Sequence, residues 1–239
     1  MSDKIKVKNP IVEMDNIAVK QNIPIGFFSL EMSCDDFVHN ITCQEAKVSS
    51  KEVKRGFVKD IDLNNLINAV SRLQNSNIYI DDQSNISIAQ LAVRTRRMVQ
   101  TNNVKVIFID YLGEITSDIK FPNRQEYMQY ISKGVRAIAK NLKIPIVCVA
   151  QLNRDSEKAN RAPIKADLRE SGQIEADAHT IILLHRPDLD DKFDKPGLIQ
   201  AHIVKNRFGE ECRVDFGFEK TTGCILELSN LKYDLEDNF

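Results

Sequence analysis

What this chain of 239 residues lacks narrows its reading before any motif is considered. Net charge is nearly absent: 33 Lys and Arg stand against 34 Asp and Glu, a formal balance of -1. A basic footprint covering the whole chain is thereby excluded, and any surface for nucleic acid must be local. Paired cysteines are also absent. Cys34, Cys43, Cys148, Cys212 and Cys224 form no C-x-x-C, which argues against a zinc site and fits free thiols in a reducing, cytoplasmic setting. No apolar run reaches the ~20 residues of a membrane-spanning helix. The start, MSDKIKVKNP, has no hydrophobic centre of the kind a signal peptide needs. There is no internal repeat and no low-complexity tract, and the length suits one substantial core.

What is present begins with GFFSLEMS at residues 26 to 33. Its apolar run has almost no polar interruption, as in strands of a parallel sheet covered on both faces, and Glu31 arrives where the strand should stop. Carboxyl ends of such strands are where ligands sit. Ahead of it, 11 to 21 has helical spacing, and Pro24 reopens the chain. Ser33 predicts an N-cap for a helix to about residue 46. Helices are expected near 49 to 56, 61 to 74, 87 to 100 and 125 to 143, and strands at 77 to 82, 104 to 112 and 144 to 151. Alternation of this kind predicts an α/β fold with a mostly parallel sheet covered by helices. After Asp177 the runs HTIILLHR, LIQAHIVKN, CRVDFGF and GCILELS, joined by turns, predict an antiparallel C-terminal extension of that sheet. Residues 1 to 10 read as a polar N-terminal segment, 11 to 228 as the domain, and 229 to 239 as a tail.

VIFIDYL places Asp110 at the end of an apolar strand, the form of an acid that holds the water shell of magnesium beside a triphosphate. Buried strands also end in an Asp for structural reasons, so the motif alone is weak. Its context is stronger. Glu31 and Gln151 end the other two strands, and together the tips offer a base, a metal-holding acid and an amide able to sense a phosphate.

FFSLEMS, YIDD, VIFIDYL, AQLNR (150 to 154), DLRESGQIEADA (167 to 178) and VKNRFGE (204 to 210) occur in the order found in DnaB-type replicative helicases. The chain resembles the RecA-like ATPase domain of that family from residue 11 to about 228. The resemblance implies an ATP-dependent helicase that translocates on single-stranded DNA and unwinds duplex during replication, as a hexameric ring with ATP and magnesium. It also implies primase and a helicase loader as partners. By resemblance, Glu31 is the catalytic base, Asp110 the acid holding magnesium through water, and Gln151 the sensor of nucleotide state. Arg169, Glu170 and Gly172 match a loop touching the DNA backbone, and Lys205 and Arg207 match a pair reaching the neighbouring subunit's nucleotide.

Two departures stand against the pattern. G-x-x-x-x-G-K-[ST], whose amides cradle phosphates and whose hydroxyl binds magnesium, does not occur, and none of the nine glycines precedes Lys. The core is therefore expected to begin one strand late, without a central strand, because K-I-K-V-K alternates like an edge strand. Truncation of a helicase and a degenerate, non-catalytic DNA-binding or ring-assembly module both remain open. The second departure is Gly113, where the family usually has Gln. Arg154, Lys158, Arg161, Lys165 and Arg169 form a basic stretch that Asp155, Glu157 and Asp167 dilute. Such runs are most often solvated, but its place after Gln151 points to DNA, with Arg154, Arg161, Lys165, Arg169, Glu170 and Gly172 as the contacts. His179, His185 and His202 read as packed or hydrogen-bonded side chains rather than ligands, and Asp81 with Asp82 as part of a turn.

Overall fold

The computed structural model describes residues 16–153, 161–187 and 197–228. The sequence expectations for 1 to 10 and 229 to 239, and for Arg154 and the first half of the helix at 11 to 21, lie outside them. What remains of that helix is one π-helical turn, Asn16–Lys20.

Four parallel strands form the first sheet: β1 (Ile25–Ser29), β2 (Ile78–Asp81), β3 (Val106–Asp110) and β4 (Ile146–Cys148), in the order β2-β1-β3-β4. The alternation of side chains across a strand decides what covers each face. Ile25, Phe27, Val106 and Phe108 face one way, onto Phe37 and Ile41 of helix α1 (Cys34–Ala46), with Ala18. Phe28, Ile107 and Ile109 face the other way, onto Ile88 and Leu91 of helix α4 (Ile88–Asn102) and Ile131, Val135 and Ile138 of helix α5 (Arg124–Leu142). Both faces are buried, which is why β1 and β3 read as continuous apolar runs. Each fully buried Phe or Ile contributes about 1.5–3 kcal/mol.

Caps fix where the helices start. The Ser33 side chain accepts from the Asp36 amide, and Ser87 and Gln90 form a reciprocal capping box at the start of α4. Helix α2 (Ser50–Lys54) and helix α3 (Asp60–Gln74) fill the connection to β2.

Two expectations change. The strand foreseen over 144 to 151 is only three residues long: Pro145, which has no N–H to give, stands before its start although its carbonyl accepts from the Ile107 amide at 3.1 Å, and past its end the Val149 carbonyl accepts from the Leu112 amide rather than continuing the ladder. The antiparallel strands β5 (Thr180–His185), β6 (Leu198–Asn206), β7 (Cys212–Glu219) and β8 (Cys224–Glu227) pair only with one another among the described residues. The antiparallel extension is thus a ladder of its own, with Ile199, Ala201, Phe216 and Ile225 as its core. The parallel ladder is continuous from β2 to β4, and β4 is its edge on that side, paired among the described residues with β3 alone.

Between the sheets, a 3-10 helix (Lys165–Ser171) runs into the short helix α6 (Gly172–Asp177). Leu168 anchors this segment, packing with Ile181, Leu183, Leu152 and Val204.

Candidate functional site

β1 and β3 end side by side, with Ser29 opposite Asp110. The Leu30 amide donates to the Asp110 carbonyl at 2.8 Å, and the buried Ser29 hydroxyl donates to the Met32 carbonyl at 2.7 Å. Those two bonds fold the chain over the tip of β3 and leave Glu31 exposed beside Asp110. The Asp110 carboxyl is pushed above its ordinary range, first by burial and then by the negative charge of Glu31.

The third tip follows from backbone bonds past the end of β4. The Val149 amide donates to the Ile109 carbonyl at 3.0 Å, and the Leu112 amide to the Val149 carbonyl at 2.9 Å. Gln151, two residues on, is exposed beyond this last pairing. Glu31, Asp110 and Gln151 therefore leave three neighbouring strands at one edge. The acids on the fourth tip are committed elsewhere: Asp81 pairs with Arg94 at 2.6 Å, and Asp82 accepts the Cys34 amide at 2.7 Å. Their reading as turn residues agrees with this.

A hydrated magnesium ion suits the donors at this edge, one half-buried carboxylate with a second close by. A phosphate cradle has no such donors in the chain, since the glycine-rich loop is absent from its sequence. Next to Asp110, a Cβ placed on Gly113 would lie 2.7 Å from Cε2 of Tyr111. The Tyr111 ring, whose hydroxyl donates to Glu114 at 2.5 Å, fills the space a side chain at 113 would use.

Lys205 and Arg207 lie on the C-terminal carbonyls of α6. The Lys205 ammonium donates to the Glu175 carbonyl, and Arg207 donates to the Ala176 carbonyl at 2.8 Å, a favourable end of the helix for cations. Burial and the neighbouring Arg207 hold the Lys205 ammonium below its ordinary pKa. Phe208 beside them is 85% exposed. Among the expected DNA contacts, Lys165 pairs with Glu211 at 2.8 Å, and Arg161 with Asp167 at 2.8 and 2.9 Å. Arg169 and Glu170 lie on the 3-10 helix, and Gly172 opens α6 with open space around it. His185 and His202 are half-buried and meet in a T-shaped contact, as expected of packed side chains, whereas His179 is exposed and makes a T-shaped contact with the exposed Phe208.

The sequence reading did not single out Asp177, which is buried and accepts from Ser132 and Arg136, each at 2.9 Å. Its partners are more than 40 positions away, so no local pattern announces them. In the sequence alone Asp167 only dilutes the basic stretch, whereas in the fold it is the partner of Arg161.

The family model for the DnaB-like helicase C-terminal domain matches residues 9–225. The chain belongs to this family. It is 36% identical over 198 residues to the replicative DNA helicase DnaB of Mycobacterium leprae (strain TN), covering 82% of this chain and 33% of that protein. Identity to the replicative DNA helicase DnaC of Bacillus subtilis (strain 168) is 34% over 208 residues, 86% of this chain and 46% of that one. The chain thus spans less than half the length of these curated relatives. A solved DnaB-like replicative helicase, described with its interactions with primase, superposes with a TM-score of 0.86 at 26% identity, covering 91% of this chain and 55% of that one. A solved ATPase domain gives 0.85 at 26% identity, covering 91% and 78%. The parallel sheet with its helices and the antiparallel strands are the RecA-like architecture of these domains.

Proposed function

We propose that this DnaB-like domain, residues 11 to 228, is the motor of a replicative helicase, built to couple ATP hydrolysis to movement along single-stranded DNA. The observation that carries the reading is the convergence of Glu31, Asp110 and Gln151 on three adjacent strand tips, with the Asp110 carboxyl raised by burial and by Glu31. When bound, ATP with magnesium would supply the phosphoanhydride to be cleaved. Glu31, exposed at the tip, would take the proton from the attacking water. Asp110 would hold the metal's water shell, and Gln151 would pass the occupancy of the edge to the segment that follows it.

Within that segment Lys165, Arg169, Glu170 and Gly172 would face the DNA backbone, which gives grip with little sequence preference. Lys205 and Arg207 would serve a neighbouring subunit in a hexameric ring. Primase and a loader would be its partners and the cytoplasm its place. The module reading is favoured by one observation, the lack of G-x-x-x-x-G-K-[ST] in the sequence. As the chain stands, the edge would therefore turn ATP over poorly or not at all. A titration of the purified protein with ATP and magnesium tests this. No turnover is the expected result, and tight binding with turnover would overturn the claim that the cradle is needed.

A further inference from the structure

We propose that Asp167 is a positioning residue for the DNA-facing segment, and that Arg161 works through it rather than by touching phosphate. This rests on the reading of residues 161 to 172 as facing DNA. The Asp167 carboxylate receives a two-pronged bond from the Arg161 guanidinium, at 2.8 and 2.9 Å, and a third from the Ile164 amide at 2.7 Å. Its own amide donates to the Ile164 carbonyl at 2.9 Å, and its carbonyl accepts from the Asn153 amide at 3.1 Å. Arg161 spends a further bond on the Ala162 carbonyl. One residue, only 9% exposed, thus ties Arg161 and Ile164 together through its side chain, while its backbone ties in the chain leaving Gln151.

The geometry explains why an acid sits in a basic stretch. A two-pronged arginine–carboxylate pair fixes direction as well as distance, which a lone lysine would not do. Leu168, the next residue, is packed against Leu183 and Val204, so the clasp and the core hold adjacent positions. Lys165 and the backbone of 169 to 172 then leave a base that cannot rotate freely. Three of the five guanidinium N–H groups are spent on Asp167 and the Ala162 carbonyl, which fixes the plane and direction of the side chain. Held in this way, Arg161 serves the segment through Asp167 first, and any phosphate it meets is met by the two N–H groups left over.

The two roles predict opposite signs. If charge alone mattered, Asp167→Asn would remove an anion and tighten single-stranded DNA binding, and Arg161→Ala would lower the salt slope by about one phosphate. If the clasp positions the segment, Asp167→Asn weakens binding about tenfold, within the coupling range of residues in contact. The salt slope then stays unchanged for both variants, and the double variant loses no more than either single one. Swapping the pair, Arg161→Asp with Asp167→Arg, restores part of the affinity. The test is fluorescence anisotropy on labelled oligo-dT over a salt series, with circular dichroism to establish that each variant is folded. Tighter or unchanged binding by folded Asp167→Asn would overturn the clasp and leave the DNA-facing reading standing. Absence of oligo-dT binding by the unaltered chain would overturn that reading, and the role of the clasp with it. If Asp167→Asn fails to fold, the swapped pair decides: affinity no better than Arg161→Ala, with a slope lowered by one, counts against the proposal.

Discussion

Removal of the Asp177 carboxylate tests how firmly α6 is held to the motor core. Asp177 ends α6 and reaches α5, where Ser132 and Arg136 each donate at 2.9 Å, and only 7% of the residue is exposed. Burial pushes its carboxyl up, but the bonds from Ser132, Arg136 and Gln173 outweigh burial and hold it below the usual range. Arg136 is half-exposed, so its ion pair contributes about 0–1 kcal/mol. The hydroxyl bond to a buried charge is worth about 1.5–3 kcal/mol. Asp177→Ala should therefore cost about 2–4 kcal/mol at neutral pH. A carboxyl held low in the folded state gives stability at pH above its unfolded value of about 3.9, and that stability is lost as pH falls through the folded value. Urea melts of both proteins at neutral pH and near pH 3 give the difference directly. The gap should narrow in acid. A gap under about 0.5 kcal/mol at neutral pH, or one that does not change with pH, would refute the reasoning.

Gly134→Ala places a methyl 2.4 Å from Cγ1 of Ile88. The helical gain of about 1 kcal/mol is smaller than an overpacking cost of about 1–3 kcal/mol, so urea melts should show net destabilisation, and in an Ile88→Ala background, where that carbon is gone, the cost of Gly134→Ala should disappear. Arg169→Ala should weaken binding to oligo-dT and lower its salt slope by about one, in contrast to changes at Asp167. Arg207 is tested in mixed rings with the phosphate loop supplied. Subunits carrying Arg207→Ala should be complemented by subunits carrying Glu31→Gln, because one boundary then holds a complete site, whereas failure in rings shown to be mixed would confine Arg207 to its own α6 carbonyls.

Features set by local pattern could be read from sequence. The strand tips at Glu31 and Asp110 follow from apolar runs ended by a charge, and the starts of α1 and α4 follow from Ser33 and Ser87. Gln151 belongs to the expected edge but lies past the end of β4, since periodicity does not register that the Val149 carbonyl is taken by the Leu112 amide. Contacts between distant positions were not legible. Arg161 reads as a free cation although Asp167 holds its guanidinium by two bonds, and Lys205 and Arg207 give no local sign that they rest on carbonyls about 30 positions earlier. The separation of the two sheets is likewise a matter of pairing, which strand composition does not specify.

The most direct test of the motor reading is ATP turnover by this chain carrying a family G-x-x-x-x-G-K-[ST] strand and loop ahead of Ile11, with and without Glu31→Gln. The account predicts that turnover appears in the restored protein and falls by about a hundredfold or more in Glu31→Gln, the loss expected for a general base. An inert restored protein with Glu31 and Asp110 intact, or equal turnover with and without Glu31, would contradict the assignment of these strand tips.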